Sequence, residues 1–437
     1  MRTHILSALL TLSAVTGASG AMAQTPPPPP PAAPGPAAPP PAAPPAAAPA
    51  APEAAPPAAA PAPAAAAPAA APPATPAAAP GNWYDKFAVD AFVDAYATIN
   101  GNGPKPQQPV PITGGPGGNS FRAFDVAEGF ALNWIGVNAS YTADKIGGTI
   151  GLRVGPGASI YNNPADNAVG LNIVKQAYAT WKPVDKLTLD LGKWDQPFGS
   201  EVADSQLNMN YSRTFLFWYM QPLFFSGLRV DYAASDAFDI KVFAANGWNE
   251  TLDINRGKTF GGQIFLKPAD QAMFYIGYVG GPENADTAIT ANGPVDVPDA
   301  NDHWRHMVDF VADISPIPAL RFLLNLDYRT ESNLPGHTES VYGGNLVIRY
   351  NFTDAFNAAL RGEWYHDEHA DTLGIAGGPS TDLEDGTLTL TYGIGTHLAF
   401  MLDNRLDVAN QSIFQKGTTE TSKTQWTTEL GVIASTK

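Results

Sequence analysis

The 437-residue chain contains no cysteine, so neither a disulfide framework nor a lipid-bearing thiol can hold it in place. It also lacks any apolar run of the roughly 20 residues that a transmembrane helix needs. Basic residues are scarce: 25 Lys and Arg stand against 41 Asp and Glu, a formal charge of −16. That balance excludes nucleic acid as a partner, because binding phosphates requires a basic surface. No G-x-S-x-G elbow, phosphate-cradling glycine loop or zinc-protease motif occurs, so nothing points to catalysis. One cluster has metal-ligand chemistry, His366-Asp367-Glu368-His369. Its i, i+3 spacing suits a helix, but Asp371, Gly374, Gly377, Gly378 and Pro379 argue for irregular backbone, and no metal or cofactor is expected.

What is present begins with an export signal. Arg2 and His4 precede an apolar run from Ile5 to Val15 and a small-residue cleavage pattern at Ala21-Met22-Ala23. Residues 24–80 are almost entirely Ala and Pro, with Glu53 as the sole charge, a composition that cannot bury a core and implies a disordered spacer. As polyproline II it would reach on the order of 170 Å, a length suited to the periplasm and to contact with the cell wall.

From residue 81 onward the sequence alternates apolar and polar residues in segments of about ten, the length of a tilted membrane strand. In 319–330, Leu320, Phe322, Leu324, Leu326 and Tyr328 share one face; Arg321, Asn325, Asp327 and Arg329 share the other, with Leu323 as an exception. Leu187, Leu189 and Leu191 oppose Thr188, Asp190 and Gly192, and Leu228, Val230 and Tyr232 oppose Arg229 and Asp231. Arg361 and Glu363 lie opposite Phe356, Leu360 and Trp364, so both should point into a lumen and stay hydrated there.

Connections alternate between short and long. Short turns fall near 142–144, 183–185, 234–236, 268–270, 315–318, 351–354 and 395–396. Long loops fall near 100–127, 156–170, 195–226, 247–257, 282–303, 331–338, 367–385 and 411–422. Seven short turns between eight long loops predict an all-β, closed antiparallel transmembrane barrel of about 16 strands, with the short turns periplasmic and the long loops outside. Closure removes the sheet edges that hydrocarbon cannot satisfy. Trp181, Trp248, Trp304, Trp364 and Tyr350 near strand ends suit interfacial belts beside outer-membrane lipid and lipopolysaccharide. Gly261-Gly262 and Gly343-Gly344 fall within strands, where they would permit bends or close packing.

A dense set of residues runs from Gly192 through Pro197, Gly199, Glu201, Asn210, Tyr211, Ser212, Arg213, Pro222 and Gly227 to Asn246, Gly247 and Trp248. In this order they resemble the OmpL-like family of outer-membrane β-barrel porins, and the resemblance extends more weakly over 86–437. It implies a porin-like barrel but carries no common substrate. Ser200 departs from it, standing where the family usually has an aromatic.

The loop 195–226 is too long for a turn and too aromatic to be solvent-swollen. Folded inward, it would narrow the lumen and present Glu201, Asp204 and Arg213 to the water path; packed over the rim, it would cap the barrel. Pore-lining candidates on the strands are Arg229, Asp231, Arg321, Asp327, Arg329, Arg349, Arg361, Glu363 and Arg405. Acidic residues of the outer loops (Glu283, Asp286, Asp296, Asp299, Asp302, Asp367, Glu368, Asp371, Asp382, Glu384 and Asp385) would give a negative mouth, whereas the barrel arginines act the other way; the balance slightly favours cations. About sixteen strands enclose room for water, which implies passive passage of small solutes or ions. The alternatives are a structural or adhesive barrel that binds a partner through its long loops and, less favoured, an outer-membrane hydrolase.

Overall fold

A computed structural model describes residues 82–106, 118–162, 166, 169–290, 293–333, 337–375 and 378–436. The export signal and the whole Ala/Pro segment lie outside these residues. Twenty strands form among the described residues. The first nine are β1 (Phe87–Asn100), β2 (Gly129–Thr142), β3 (Ile146–Val154), β4 (Val174–Val184), β5 (Leu187–Asp195), β6 (Phe224–Ser235), β7 (Phe238–Ala245), β8 (Thr259–Ala269) and β9 (Ala272–Pro282). A small hairpin, β10 (Thr287–Thr290) with β11 (Gly293–Asp296), precedes β12 (Trp304–Ile317), β13 (Leu320–Asn333), β14 (His337–Asn351) and β15 (Phe356–Asp367). Then come β16 (Thr381–Ile394), β17 (Leu398–Ala409), a second hairpin β18 (Phe414–Lys416) and β19 (Glu420–Ser422), and β20 (Thr424–Ser435). Sixteen of them close an antiparallel barrel in the order β1–β9, β12–β17, β20, sealed by the pairing of β20 with β1.

The alternation in the sequence becomes an outside and an inside. Leu228, Val242, Ile264, Ile276, Val308, Leu326, Leu346, Leu360, Leu388, Leu406 and Leu430 point outward and are exposed, forming the apolar band that lipid covers. Tyr278, Trp304, Tyr328, Tyr342, Trp364 and Trp426 ring its long-loop end; Phe87, Trp181, Tyr232, Tyr350 and Tyr392 ring the other. Trp248, expected in such a belt, is instead buried inside with Trp194, Phe225 and Phe243, because the segment after β7 folds back over the barrel mouth. Pairing of β13 with β14 continues to Asn333 opposite His337, so the expected loop 331–338 is largely strand. Register shifts in β2 and β4 add one residue each, beside Asn133 and Lys175, and turn those polar side chains into the interior.

Candidate functional site

The connection 196–223, between β5 and β6, runs inside the barrel and touches walls far apart in the chain. Its course depends on backbone donors meeting wall carboxylates. Gly199 N donates to Asp309 on β12 (3.0 Å), and Ser200 N donates to Asn325 on β13 (3.3 Å). Phe215 N and Leu216 N donate to the two oxygens of Glu363 on β15 (2.9 and 2.8 Å). Tyr211 N, Ser212 N and Ser212 Oγ all donate to Asp403 on β17 (3.3, 2.9 and 2.8 Å). Ser205 Oγ and Tyr211 OH both donate to Asp94 on β1 (2.7 Å each). Charge-assisted bonds of this kind are about twice as strong as neutral ones.

The motif residues find physical roles here. Gly199 has φ +75, and a Cβ there would lie 2.1 Å from the Gln221 amide, which itself bonds Asn325 and Asp327. Pro197 O accepts from Gln263 on β8, and Asn210 donates to Thr389 on β16 (2.6 Å). Arg213 folds back on its own loop, donating to Val202 O and Ala203 O, while Arg405 on β17 donates to the carbonyl of Arg213 (2.5 Å). Gly227 lies against the carbonyl of Ala244, where a Cβ would approach to 2.1 Å; at Gly192 (φ +142) a Cβ would lie 2.3 Å from the carbonyl of Ala177. Asn246 donates to Thr251 O, Gly247 lies against Glu283, and Pro222 is buried.

Arg361 faces inward but not towards water. It anchors a buried chain of alternating charge: Asp125 to Arg122 (3.2 Å), Arg122 to Asp407 (3.0 Å), Asp407 to Arg405 (2.6 Å), Arg405 to Asp385 (3.5 Å), Asp385 to Arg361 (2.6 Å) and Arg361 to Glu201 (3.1 Å). The hydrated wall expected at Arg361 and Glu363 is therefore corrected, because the inward loop displaces the water. Asp367 and Asp385 are likewise buried strand residues and not part of an acidic mouth. Asp204 lies between Arg153 (2.9 Å) and Lys175 (3.2 Å). Burial alone would raise its carboxyl, but Lys175 and Arg153 hold it below the ordinary range. Asp327 accepts from Gln221, and Arg329 donates to Tyr219 O and Thr372.

Towards the long loops, the inward side chains are buried on every barrel strand, from Asn100 on β1 through Val279 on β9 to Gln425 on β20. Segments of other loops join the filling: Phe124 packs on Trp134 and Phe217, Tyr161 on Phe224, and Phe414 and Leu373 within the cluster of Phe215, Leu216 and Tyr365. Towards the short turns the lumen widens. A cavity of about 420 Å³ is lined there by Thr142, Thr149, Tyr178, Thr180, Thr188, Asp190, Asp231 and Asp239. Arg229 pairs with Asp190 (2.8 Å), and Lys241 with both Asp231 and Asp239 (3.0 Å each). Arg321 and Arg349 are half-buried on the facing wall.

Wall residues that sequence reasoning missed are Asp94, Arg153, Lys175, Asp309 and Asp403; Asn325 is on the inner face where the alternation put it, and Asp385 was read as a loop acid. All of the missed residues but Lys175 and Arg153 are acidic, on an inward-facing position, which the strand parity could have flagged. His366 and His369 turn to separate carboxylates, Asp382 (2.8 Å) and Glu339 (3.0 Å), and no metal-holding group occurs among the described residues.

A closed, lipid-facing barrel with a polar interior and an inward loop defines the porin class of outer-membrane protein. A family model described as "Putative beta-barrel porin-2, OmpL-like" matches residues 86–434, and the chain belongs to that family. Among solved structures it is similar to the outer-membrane protein OmpT of Vibrio cholerae, at 8% identity and a TM-score of 0.50, covering 80% of this chain and 97% of that one. It is similar too to the outer-membrane channel DcaP of Acinetobacter baumannii, at 11% identity and a TM-score of 0.50, covering 80% and 96%. At these identities the likeness is one of fold. No curated protein matches the chain.

Proposed function

We propose that the protein is a passive diffusion channel of the outer membrane for small hydrophilic solutes or ions, without enzymatic activity, whose throughput is set by how far loop 196–223 yields. The observation that carries this reading is the widened, charge-lined half of the lumen at the short-turn end, floored by a loop that side chains hold and no strand of the barrel replaces. Arg229, Asp231, Arg321 and Arg349 line that half; Glu201, Asp204, Arg213, Asp327, Arg329, Arg361, Glu363 and Arg405 keep the loop in place. The short turns face the periplasm, where the Ala/Pro segment serves as a spacer towards the cell wall, and lipopolysaccharide surrounds the long-loop end.

Planar-bilayer recording of the full chain tests this. Replacing residues 200–222 with a short Gly/Ser linker should raise unit conductance several-fold, because the lumen of a sixteen-strand barrel holds water once unfilled. The burial of inward side chains on every strand of the long-loop half favours a second reading, a structural barrel. Silence of both proteins would establish that reading and sink the channel.

A further inference from the structure

Arginine is rarely left alone inside a protein, and this barrel obeys that rule with one exception. Arg122, Arg153, Arg229, Arg321, Arg361 and Arg405 reach carboxylates, while Arg213 and Arg329 reach carbonyls or hydroxyls. Arg349 meets no acceptor among the described residues, and its Nε is sealed from solvent without a partner. The residue lies on the inner face of β14, in the half of the lumen that widens towards the short turns.

Its surroundings make the vacancy specific. Directly across the ladder stands Arg321, a like charge at a spacing where opposed side chains interact and repel. Arg321 is held bidentately by Asp313, through Nε at 2.8 Å and Nη2 at 2.5 Å, so both oxygens of the nearby carboxylate are engaged. On the other side the ladder partner is Ala359, which offers no polar side chain. Two residues further into the barrel, Val347 and Leu323 pack with Met209 at the underside of the inward loop and form an apolar roof. Two guanidinium groups thus stand side by side beneath a dry ceiling with one carboxylate near them, which Arg321 alone engages, whereas the charges of the facing wall pair off among Asp190, Arg229, Asp231, Asp239 and Lys241.

We infer that Arg349, with Arg321 beside it, forms an oxyanion subsite on the lumen wall that takes the phosphate or carboxylate group of a permeating solute. The planar guanidinium fork matches such groups bidentately and remains charged at any working pH. An arriving anion would supply the acceptor that Arg349 lacks and relieve its repulsion from Arg321. This site rests on reading the lumen as a solute path, and it makes the wall beneath the loop locally anion-preferring, against the slight cation preference expected from the loop acids.

The test uses the full chain in planar bilayers under a KCl gradient, with inorganic phosphate added on the short-turn side. Phosphate should reduce the chloride current of the wild type. Arg349→Gln should raise the phosphate concentration needed by about tenfold or more and shift the reversal potential towards cations, as expected for loss of a charge-assisted contact. Arg349→Lys should restore the potential while recovering only part of the phosphate block, because an ammonium lacks the fork. Acetate should compete with phosphate, and failure to compete would remove carboxylates from the ligand class. A conducting Arg349→Gln channel with unchanged block and potential overturns the subsite while leaving the channel standing. If wild type and loop-deleted proteins are both silent, calorimetric titration of phosphate into the detergent-solubilised chain decides instead: equal heats for wild type and Arg349→Gln would overturn the subsite.

Discussion

The two halves of this barrel have the same strands and the same inside-polar alternation, yet one is packed like a protein core and the other is not. Near the long loops, Asp385, Asp403 and Arg405 are almost fully buried; towards the short turns, Arg229, Lys241 and Arg321 keep part of their surface in water. The difference lies in what meets the wall. A polar lumen face tolerates water, but it equally tolerates a loop whose backbone N–H and C=O groups complete its hydrogen bonds. A sequence that reads as a water-filled lumen can therefore be filled by its own connection.

The strongest way to break this comparison is to remove a charge from each half. Arg361→Leu leaves Glu201 and Asp385 facing one another across a dry gap, and losing one partner of a buried pair costs about 3–5 kcal/mol. Arg229→Leu removes the charged partner of Asp190, which keeps the bond from Thr180 Oγ1 and borders the cavity, so it should cost less, about 1–3 kcal/mol. Thermal unfolding in detergent compares the two. Equal losses would mean that the long-loop half is wet and that the filled lumen described here does not persist. An Arg361 hydrated on an open lumen wall would tolerate leucine, whereas one set in the buried chain of charge does not.

A smaller effect is expected at Asp403, whose two oxygens receive Tyr211 N, Ser212 N, Ser212 Oγ and Thr389 Oγ1. Asp403→Asn turns one acceptor into a donor facing donors, which should weaken loop attachment by about 1.5–3 kcal/mol. Limited proteolysis within 200–222 should speed up, and single-channel openings should lengthen. Unchanged cleavage would show that Asp403 follows the loop and does not hold it.

How much of this was legible depends on the range of the contacts involved. Strand number, barrel closure and turn alternation follow from residues two apart, and Leu320 to Tyr328 against Arg321 to Arg329 displays them directly. That 196–223 must be buried, inside the lumen or as a cap over its rim, was readable from its density of aromatic residues. Its filling of the long-loop half was not, because Asp403 and Tyr211 are 192 positions apart and no local pattern joins them. Leu323 broke the alternation in the sequence for the same reason: it faces inward to pack with Met209 of the loop. Trp248 was misplaced because an aromatic at a strand end reads alike whether it meets lipid or folds back over the mouth. Lys175 faces inward through a one-residue register shift, which a strict period of two cannot anticipate.

The finest test of the packed half is its response to pH. Glu283, just beyond β9, accepts from Trp248 N (2.8 Å) and Thr259 Oγ1 (2.6 Å), tying the 246–258 connection to the barrel mouth. Burial pushes its carboxyl up to about 7 from an ordinary 4.5; Arg305, Thr259 and Trp248 pull the other way, and Glu331 adds to the rise. Below about pH 4.5 the group is protonated whether the connection is docked or released. Between there and about 7 only the docked form keeps the proton, so docking weakens as pH rises through this window and stays at its weakest above it. Allowing for water entry as the charge forms, the change should be about 1–2 kcal/mol. Cleavage within 246–258 should accordingly be faster at pH 8 than at pH 5.5, relative to cleavage of Glu283→Gln under the same conditions. The Gln variant keeps an acceptor for Trp248 N without a titrating proton, so it isolates the ionisation from the protease's own pH response. Parallel pH profiles for the two proteins would show that Glu283 is already solvated, and that the packed region ends before reaching it.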